Sequence, residues 1–251
     1  MNASDLRFCR VSLNELREDG PLQFAWQDSP SKPVLERDEI HLWMTNLDGP
    51  SWQADALQHV LREDERLRAG KFHFDSDRNR FIVRRAVLRQ IVGQYLGKIP
   101  GEIEFVQNSF GKPELAGSAG ERSLQFNLSA SAEWALAAFT VRQQVGVDIE
   151  KVRRNFDWNE IAGQFFHSYE VRRINELPEA ERGEAFFRHW TIKEAFIKAR
   201  GVGLERSLLE LDFTATIRKG KGRHTDVNGG SWLCVSFCPG ENLIAGLVVE
   251  S

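Results

Sequence analysis

Apolar residues recur along the chain with two different periods, and this pattern predicts both strands and helices. In "EIHLWMTNL" (39–47) apolar and polar positions alternate, as they do in a half-buried strand. In "DSDRNRFIVRRAVLRQIVGQYLG" (75–97) apolar residues recur at helical spacing, and Asp75 or Ser76 can cap the helix that this predicts. Residues 1–38 are polar and interrupted by prolines, so we predict no regular element there.

The remaining pattern of the first 150 residues predicts one more helix and a series of extended segments. The helix is expected at 51–67, and "IEFVQN" (103–108) has the composition of a strand. "SLQFNLSASAEWALAAFTV" (123–141) contains two extended runs. A turn at 142–144 would let the second run pair with "VGVDIE" (145–150).

The second half of the chain repeats this order of strands followed by a long helix. The helix is "EAFFRHWTIKEAFIKARG" (184–201), and closing strands follow it around a polar loop at 218–230 that we expect to be mobile. This order suggests two related α+β halves. The Gly/Ser-rich stretch at 116–123 is the predicted join, which gives an N-terminal half of residues 1–118 and a C-terminal half of residues 119–251.

Composition limits the functional classes. The chain has 251 residues, a formal charge of −3 and three cysteines, so it has no global basic field for nucleic acid and no disulfide framework. No stretch approaches the length of an apolar membrane span, and the first residues lack the apolar region of a signal peptide. We therefore expect a cytoplasmic protein that binds neither nucleic acid nor membranes. P-loop, nucleophile-elbow and H-E-x-x-H motifs are all missing.

The segment "GVDIE" (146–150) combines a strand pattern with two carboxylates. Alternation places Val147 and Ile149 on one face, and Asp148 and Glu150 together on the other. Two neighbouring negative charges repel unless a cation lies between them or water screens them. The segment is therefore either a solvent-facing strand end or one side of a cation site.

The helix at 184–201 offers a partner for these carboxylates. Its buried stripe is formed by Ile192, Ala195, Phe196 and Ala199, and the other face carries Trp190, Lys193, Glu194 and Lys198. Glu194 and Lys198 are four residues apart, so a solvated ion pair within the helix is one interpretation. A divalent-metal and polyphosphate site shared with Asp148 and Glu150 is the other.

Four motifs in order resemble those of the 4′-phosphopantetheinyl transferases of the larger, surfactin-synthetase (Sfp) type. "GVDIE" resembles G-[VI]-D-[IV]-E, and about forty residues later "WTIKEAFIK" (190–198) resembles W-[ST]-x-K-E-[AS]-x-x-K. Upstream, "FGKPEL" (110–115) and "FNLSASAEWALAAF" (126–139) resemble the other two signatures. The resemblance spans roughly residues 40–215.

This resemblance implies an α+β fold of two pseudo-symmetric halves, each an antiparallel sheet packed against a long helix. It also implies a monomeric, Mg²⁺-dependent enzyme of the holo-acyl-carrier-protein synthase kind. Such an enzyme transfers phosphopantetheine from coenzyme A, bound between the halves, to a serine of an apo acyl- or peptidyl-carrier protein and releases 3′,5′-ADP.

The resemblance also implies roles for individual residues. Mg²⁺ ligands are Asp148, Glu150 and Glu194, and the catalytic residues are Glu194, as general base directly or through a metal-bound water, and Lys198. Contacts to coenzyme A are implied for Arg68, Arg80, Lys112, Ser129, Asp148, Lys193 and Lys198. We further expect Arg172 and Arg173, beside Phe165 and Phe166, to receive the acidic carrier protein, although a solvated charged helix face has the same composition.

One position departs from the family pattern. The family usually has histidine where this chain has Ala130, within "NLSAS". A methyl group cannot donate to the 3′-phosphate of coenzyme A, so we expect weaker discrimination against 3′-dephospho-coenzyme A than in a histidine-bearing relative. The loss should be partial, because the resemblance places Ser129, Lys112 and Arg80 at the same phosphate. Two other functions remain: a Mg²⁺-dependent phosphohydrolase using the same carboxylates, and a binder of coenzyme A or carrier protein without turnover.

Overall fold

The computed structural model describes residues 5–20, 22–117, 123–153, 156–201, 206–226 and 228–251. Its α-helices are α1 (Leu13–Arg17), α2 (Ala54–Leu57), α3 (Glu63–Ala69), α4 (Asp75–Leu96), α5 (Asn159–Phe165), α6 (Ser168–Asn175), α7 (Glu179–Arg200) and α8 (Thr214–Lys219). Its strands are β1 (Leu6–Ser12), β2 (Gln27–Asp28), β3 (Glu39–Asn46), β4 (Phe105–Gln107), β5 (Pro113–Leu115), β6 (Leu124–Ser131), β7 (Trp134–Val141), β8 (Val145–Lys151), β9 (Lys221–Thr225), β10 (Ser231–Phe237) and β11 (Leu243–Glu250).

Two antiparallel sheets form the centre of the fold. One has the strand order β2-β1-β3-β7-β6 and the other the order β8-β11-β10-β9, while β4 and β5 form a separate ribbon. Apolar residues from both sheets meet in one core, in which Leu42 and Leu136 pack with Val147 and Leu247. The outer face of the first sheet packs against α4 and that of the second against α7. The predicted α+β class with a long helix on each sheet is therefore confirmed.

The sheet order gives a different boundary between the halves from the one that the composition suggested. Strands β6 and β7 pair with β3 in the first sheet, and β8 begins the second sheet. This order favours a boundary at 142–144, whereas we placed the join after residue 118, and residues 118–122 lie outside the described ranges. A Gly/Ser-rich composition marks a turn, and a turn within a half looks the same in sequence as a turn between halves.

Three other predictions differ from the structure. The segment 51–67 is not one helix but α2, a short 3₁₀ turn (Gln58–Val60) and α3. The first 38 residues contribute β1, α1 and the two-residue strand β2, with Ser12 as the cap of α1. The polar loop at 218–230 contains β9, an edge strand paired with β10. Within the described ranges, the structure has no helix of the length and apolarity needed to cross a bilayer.

Two glycines let α7 lie directly on the second sheet. A Cβ atom built on Gly146 would lie 1.9 Å from the Ala195 carbonyl oxygen, and one on Gly246 would lie 2.4 Å from that of Thr191. Gly246 is the residue opposite Asp148 in the β8–β11 pair. This close approach sets the distance between Asp148 on the strand and the polar residues of α7.

Replacing Gly146 with alanine should therefore destabilise the protein by about 3 kcal/mol, since backbone atoms rather than flexible side-chain ends occupy the space. A Cβ atom added to Gly163 in α5 would have nothing within 4 Å, so Gly163→Ala should be neutral or stabilising by up to about 1 kcal/mol. Urea unfolding of both variants tests this. Equal stabilities for the two variants would contradict the close-packing argument.

A buried histidine lies between the first sheet and α4. The ring of His41 is fully buried; its Nδ1 lies 2.7 Å from the hydroxyl of Tyr95, which also accepts a hydrogen bond from Trp43 Nε1. A neutral His41 can accept from the Tyr95 hydroxyl at Nδ1, and its Nε2 lies 3.4 Å from Glu39 Oε2. Burial lowers the pKa of His41 to about 4, against the opposing attraction of Glu39.

This histidine should make stability depend on pH. Since the pKa of His41 is lower in the folded chain than in the unfolded one, the unfolded state takes up the proton first as the pH falls. The stabilisation is complete above about pH 6.5 and is lost towards about pH 4, by up to about 3 kcal/mol. Urea unfolding between pH 7 and 4 gives the free energy of unfolding as a function of pH. The slope of this dependence should correspond to about one proton fewer in His41→Gln than in the wild type. Identical slopes in the two proteins would exclude His41 as the source of the pH dependence.

Candidate active site

The polar residues of "GVDIE" face α7, at the place where β6 of the first sheet runs beside β8 of the second. Val147 and Ile149 enter the shared core, as the alternation predicts, and Asp148 lies on the opposite face. Strand β6 is joined to β8 through its side chains, because Asn127 Oδ1 accepts from Val147 N at 2.9 Å. The site is thus built where the two halves meet.

Asp148 is the centre of this cluster. It is 4% exposed, so it is not a solvent-facing strand end. Its Oδ1 accepts hydrogen bonds from Lys198 Nζ at 2.6 Å and from Ser129 Oγ at 2.6 Å. Its Oδ2 is buried and has no hydrogen-bond partner among the described residues. A buried carboxylate oxygen without a donor is a position where a cation would be favourable.

The charge of Asp148 affects the two other carboxylates of the cluster, Glu150 and Glu194. Glu150 Oε2 accepts from Ser131 Oγ at 2.6 Å. Burial raises the pKa of Glu150, and the negative charge of Asp148 adds to this. Burial also raises the pKa of Glu194; Lys198 opposes that rise, and Asp148 and Glu150 add to it. Three acidic groups in one partly desolvated region favour a bound positive charge.

The donor set suits Mg²⁺, although it does not form a closed ligand shell. Within the described part of the chain, no three His, Cys, Asp or Glu side chains are arranged to hold a metal ion by themselves. Mg²⁺ is usually held by one or two carboxylates together with waters and substrate phosphates. The unpaired Oδ2 of Asp148 and the raised pKa values of Glu150 and Glu194 fit a site of that kind.

Lys198 reaches across to the strand. Its Nζ lies 2.6 Å from Asp148 Oδ1 and 3.0 Å from Ser129 Oγ. A solvated pair with Glu194 on the same helix was one of the two interpretations of the spacing, and the ion pair of Lys198 is instead with Asp148. The approach of α7 to β8, which the two glycines permit, brings Asp148 within reach of the lysine.

Lys112 is a second cation on the same side of the molecule. Its side chain is half-buried, and its Nζ donates to the carbonyl oxygen of Val145, next to "GVDIE", at 3.3 Å. Burial lowers the pKa of Lys112 to about 8. A partly desolvated ammonium with one neutral acceptor is suited to receive an anionic ligand.

Lys193 lies elsewhere, and we correct its expected role. It is 1% exposed, and its Nζ bonds to Glu170 Oε2 at 2.8 Å and to the carbonyl oxygens of Leu208 at 2.8 Å and Leu211 at 2.7 Å. All three ammonium donors are therefore satisfied inside the protein. In this structure Lys193 does not face the cluster around Asp148, so it has no free donor for a coenzyme A phosphate.

Arg80 and Arg68 lie on the first half. Arg80 forms a two-bond ion pair with Asp48, in which Nε donates to Oδ1 at 2.8 Å. Arg68 lines a cavity between α3, α4 and the β4–β5 ribbon. The same cavity is lined by Gly111 and Pro113, which flank Lys112, and by Leu128, the neighbour of Ser129.

Of the residues expected to receive a carrier protein, Arg172 and Arg173 are exposed, whereas Phe166 is buried. Phe166 is 2% exposed and stacks on Phe186. Arg173 is paired with Glu176, and Arg172 lies over the ring of Tyr169. Phe166 therefore belongs to the core and cannot anchor a partner.

Two contributors to the site were missed in the sequence. Ser131 holds Glu150, and Asn127 holds the backbone of Val147. Both lie at odd positions of β6, on the same side as Ser129, whereas Phe126, Leu128 and Ala130 pack towards α4. The alternation of polar and apolar residues in "FNLSAS" could have indicated that these side chains share a face with Ser129. The same alternation places Ser129 and Ala130 on opposite faces of the strand.

Comparison with known proteins identifies the family. The model described as "4'-phosphopantetheinyl transferase superfamily" matches residues 144–241. The model described as "4'-phosphopantetheinyl transferase, N-terminal" matches residues 49–142. The two matches meet where the sheet order places the boundary between the halves.

Individual relatives agree with the family models. The chain is 37% identical over 228 residues to the 4′-phosphopantetheinyl transferase HetI of Nostoc sp., which covers 91% of this chain and 94% of that protein. It is 33% identical over 173 residues to the 4′-phosphopantetheinyl transferase psf-1 of Bacillus pumilus, with 66% and 71% covered. It is 31% identical over 163 residues to the human L-aminoadipate-semialdehyde dehydrogenase-phosphopantetheinyl transferase, with 61% and 52% covered. With a relative at this identity along nearly its whole length, the chain belongs to the 4′-phosphopantetheinyl transferase superfamily.

Proposed function

We propose that this chain transfers the 4′-phosphopantetheine group of coenzyme A to a serine of an apo acyl- or peptidyl-carrier protein. The observation that carries the proposal is the cluster of Asp148, Ser129 and Lys198 between the two halves, with Glu150 and Glu194 beside it. Family membership supports the reaction type, and the cluster provides acids and a cation for a pyrophosphate substrate.

The reaction exchanges one phosphate ester bond for another. The serine oxygen of the carrier protein bonds to the phosphorus that bears the pantetheine arm, and the bond from that phosphorus to the bridging oxygen breaks. The leaving group is 3′,5′-ADP, and the serine loses its proton. Glu194 is the proposed base for this proton, because burial and its acidic neighbours raise the pKa of its carboxylate.

Asp148, Glu150 and Glu194 would hold Mg²⁺, which supplies positive charge to the pyrophosphate when bound. Lys198 is proposed to stabilise the charge that develops on the leaving 3′,5′-ADP, since its ammonium already lies in the cluster. Ser129 orients both Asp148 and Lys198. Lys112 is proposed to contact the adenosine diphosphate portion from the neighbouring loop.

We assign the enzyme to the two-halved, Sfp-type architecture and expect a monomer. One chain supplies both sheets and every residue of the cluster, so the site needs no second copy. The match to psf-1 covers 66% of this chain, and therefore supports the architecture more than a shared set of carrier proteins.

Intact-mass analysis after incubation with coenzyme A, Mg²⁺ and an apo acyl-carrier protein tests the proposal. A carrier protein heavier by one phosphopantetheine group, with release of 3′,5′-ADP, is the expected result. A phosphohydrolase would degrade coenzyme A and leave the carrier mass unchanged. A non-catalytic binder would retain coenzyme A without change, and either result would reject the transferase.

A further inference from the structure

The loop between β4 and β5, residues 108–112, is organised around the side chain of Asn108. Asn108 Oδ1 accepts hydrogen bonds from the backbone nitrogens of Phe110 at 2.9 Å and Lys112 at 3.0 Å. The backbone of Asn108 also closes the loop, because its nitrogen donates to the Lys112 carbonyl oxygen and its carbonyl oxygen accepts from Gly111 N, both at 3.0 Å. One residue therefore fixes the conformation of the loop that carries Lys112.

The nitrogen of the same side-chain amide reaches the second half of the molecule. Asn108 Nδ2 donates to the carbonyl oxygen of Gly201 at 3.1 Å, ninety-three positions away. Both backbone contacts within the loop are N–H donors, so the amide oxygen must face them and the amide nitrogen must face Gly201. Gly201 follows the last residue of α7, where carbonyl groups find no donor within the helix. Asn108 supplies such a donor from the other half.

The conformation of Gly201 leaves room for this contact. Gly201 ends α7 with a left-handed backbone, at a φ of 65°. A Cβ atom built on it would lie 3.0 Å from Asn108 Nδ2 and 3.9 Å from the Cδ atom of Lys112. The loop thus packs directly against the end of α7. Three residues earlier this helix carries Lys198, whose ammonium bonds to Asp148.

Lys112 makes a second contact from the loop to the other half. Its Nζ donates to the carbonyl oxygen of Val145, at the start of β8, at 3.3 Å. The loop is therefore joined to both elements that build the candidate active site, α7 and β8. Because the Lys112 ammonium is the group proposed to meet coenzyme A, the bond from Asn108 is the contact that keeps the loop in place when the ammonium turns to the ligand.

We propose that Asn108 is a positioning residue, which fastens the loop at 108–112 to the end of α7 and thereby raises the affinity for coenzyme A. The inference rests on the proposed function for the role of Lys112. Asn108 acts by holding Lys112 beside the cleft before the substrate arrives, and a loop that is already ordered loses less conformational freedom on binding. The transfer step itself should hardly depend on this bond, because bound coenzyme A would hold the loop.

The substitution Asn108→Asp separates the bond between the halves from the bonds within the loop. A carboxylate can still accept from Phe110 and Lys112, but it cannot donate to Gly201. The Michaelis constant for coenzyme A should rise about threefold to tenfold, the effect of losing one hydrogen bond. At saturating coenzyme A, kcat should change by less than about twofold. Calorimetry with coenzyme A and without carrier protein should show the same loss of affinity.

Ser109→Asp is the matched control for the added negative charge. Ser109 is exposed in the same loop, so this change adds the charge and leaves the bond from Asn108 to Gly201 intact. Its Michaelis constant for coenzyme A should stay within about twofold of the wild type, as expected for an exposed charge. An equal rise in the two variants would show that charge alone weakens binding, and the positioning role would be wrong.

Gly201→Ala disturbs the same contact from the side of α7. The new Cβ atom would displace Asn108 Nδ2, so the Michaelis constant for coenzyme A should rise in an otherwise wild-type chain. In the Asn108→Ala background the same change should add little, because the contact is already lost there. Melting curves verify that each variant is folded. Fully additive effects would contradict a shared contact.

Failure of the positioning role and failure of the proposed function give different results. If Asn108→Asp loses affinity for coenzyme A but the wild type transfers no phosphopantetheine, the positioning role stands and the transferase fails. If the wild type transfers the group and Asn108→Asp keeps its Michaelis constant, or loses only kcat, the transferase stands and the positioning role is rejected. A wild type that does not bind coenzyme A would reject both.

Discussion

Replacing Asp148 with asparagine should lower the rate of phosphopantetheine transfer by about a hundredfold to a thousandfold, the usual effect of removing one preorganised electrostatic group. The amide keeps the volume of the side chain and can still accept from Ser129 or Lys198. It removes the negative charge, and with it the unpaired oxygen that we assign to Mg²⁺. Transfer kinetics with saturating coenzyme A and carrier protein measure the loss.

The stability of the Asp148→Asn variant should be equal to that of the wild type or slightly higher, although its activity falls. Asp148 loses an ion pair with Lys198, which is partly exposed and so contributes little. The substitution also relieves repulsion from Glu150 and Glu194. We therefore expect a melting temperature without metal that is unchanged or slightly higher.

Metal binding gives a measurement that does not need turnover. Millimolar Mg²⁺ should raise the melting temperature of the wild type, since a ligand that binds only the folded state stabilises it. Asp148→Asn and Glu194→Gln should both lose this effect. Asp28→Asn, at an exposed position of β2, is the matched control and should keep both the shift and the activity. Near wild-type transfer by Glu194→Gln would show that the three-carboxylate assignment is wrong.

The hydrophobic pattern alone was sufficient to predict those helices and strands in which apolar residues recur with a clear period. The helix predicted at 75–97 is α4, and the strand predicted at 39–47 is β3. The alternation in "GVDIE" correctly separated the core residues from the acidic ones. In each case several residues of one buried face follow each other at regular spacing, so that the period can be recognised in the sequence.

Contacts between distant segments could not be predicted from local pattern. Glu194 and Lys198 have the spacing of a helical ion pair, yet Lys198 bonds to Asp148, fifty positions away. Lys193 and Glu194 are adjacent in one motif, yet one is buried beneath α7 and the other belongs to the cluster. Helical spacing determines which residues share a face, but only the packing of α7 decides what that face meets.

The arginines of α4 illustrate the same limit on the other half of the molecule. Basic residues are frequent along α4, and the sequence alone does not show which carboxylate each of them meets. The distinction depends on Asp48 and Glu65, which come from other segments. The resemblance indicated Arg80, whereas the structure shows that Arg80 already has a carboxylate partner.

Breaking the buried pair of Lys193 and Glu170 should cause the largest loss of stability, about 3–5 kcal/mol, because the remaining charge would be left uncompensated in the interior. Glu170 is fully buried and also accepts from the backbone nitrogens of His167 and Phe213, both at 2.9 Å. The pair therefore ties α6 and the segment before α8 to α7. Lys193→Met removes the ammonium while keeping much of the stem volume, and urea unfolding measures the cost.

The double variant Lys193→Met/Glu170→Gln separates the charge effect from the packing effect. With no ion left unpaired, it should lose much less stability than the two single changes added together. Lys71→Met, which removes an exposed lysine after α3, is the control for loss of an ammonium and should be nearly neutral. If Lys193 is only structural, the folded fraction of Lys193→Met should keep its Michaelis constant for coenzyme A at low temperature. A raised constant in a variant of unchanged stability would instead return Lys193 to the phosphate contacts, and the interior assignment would have to be abandoned.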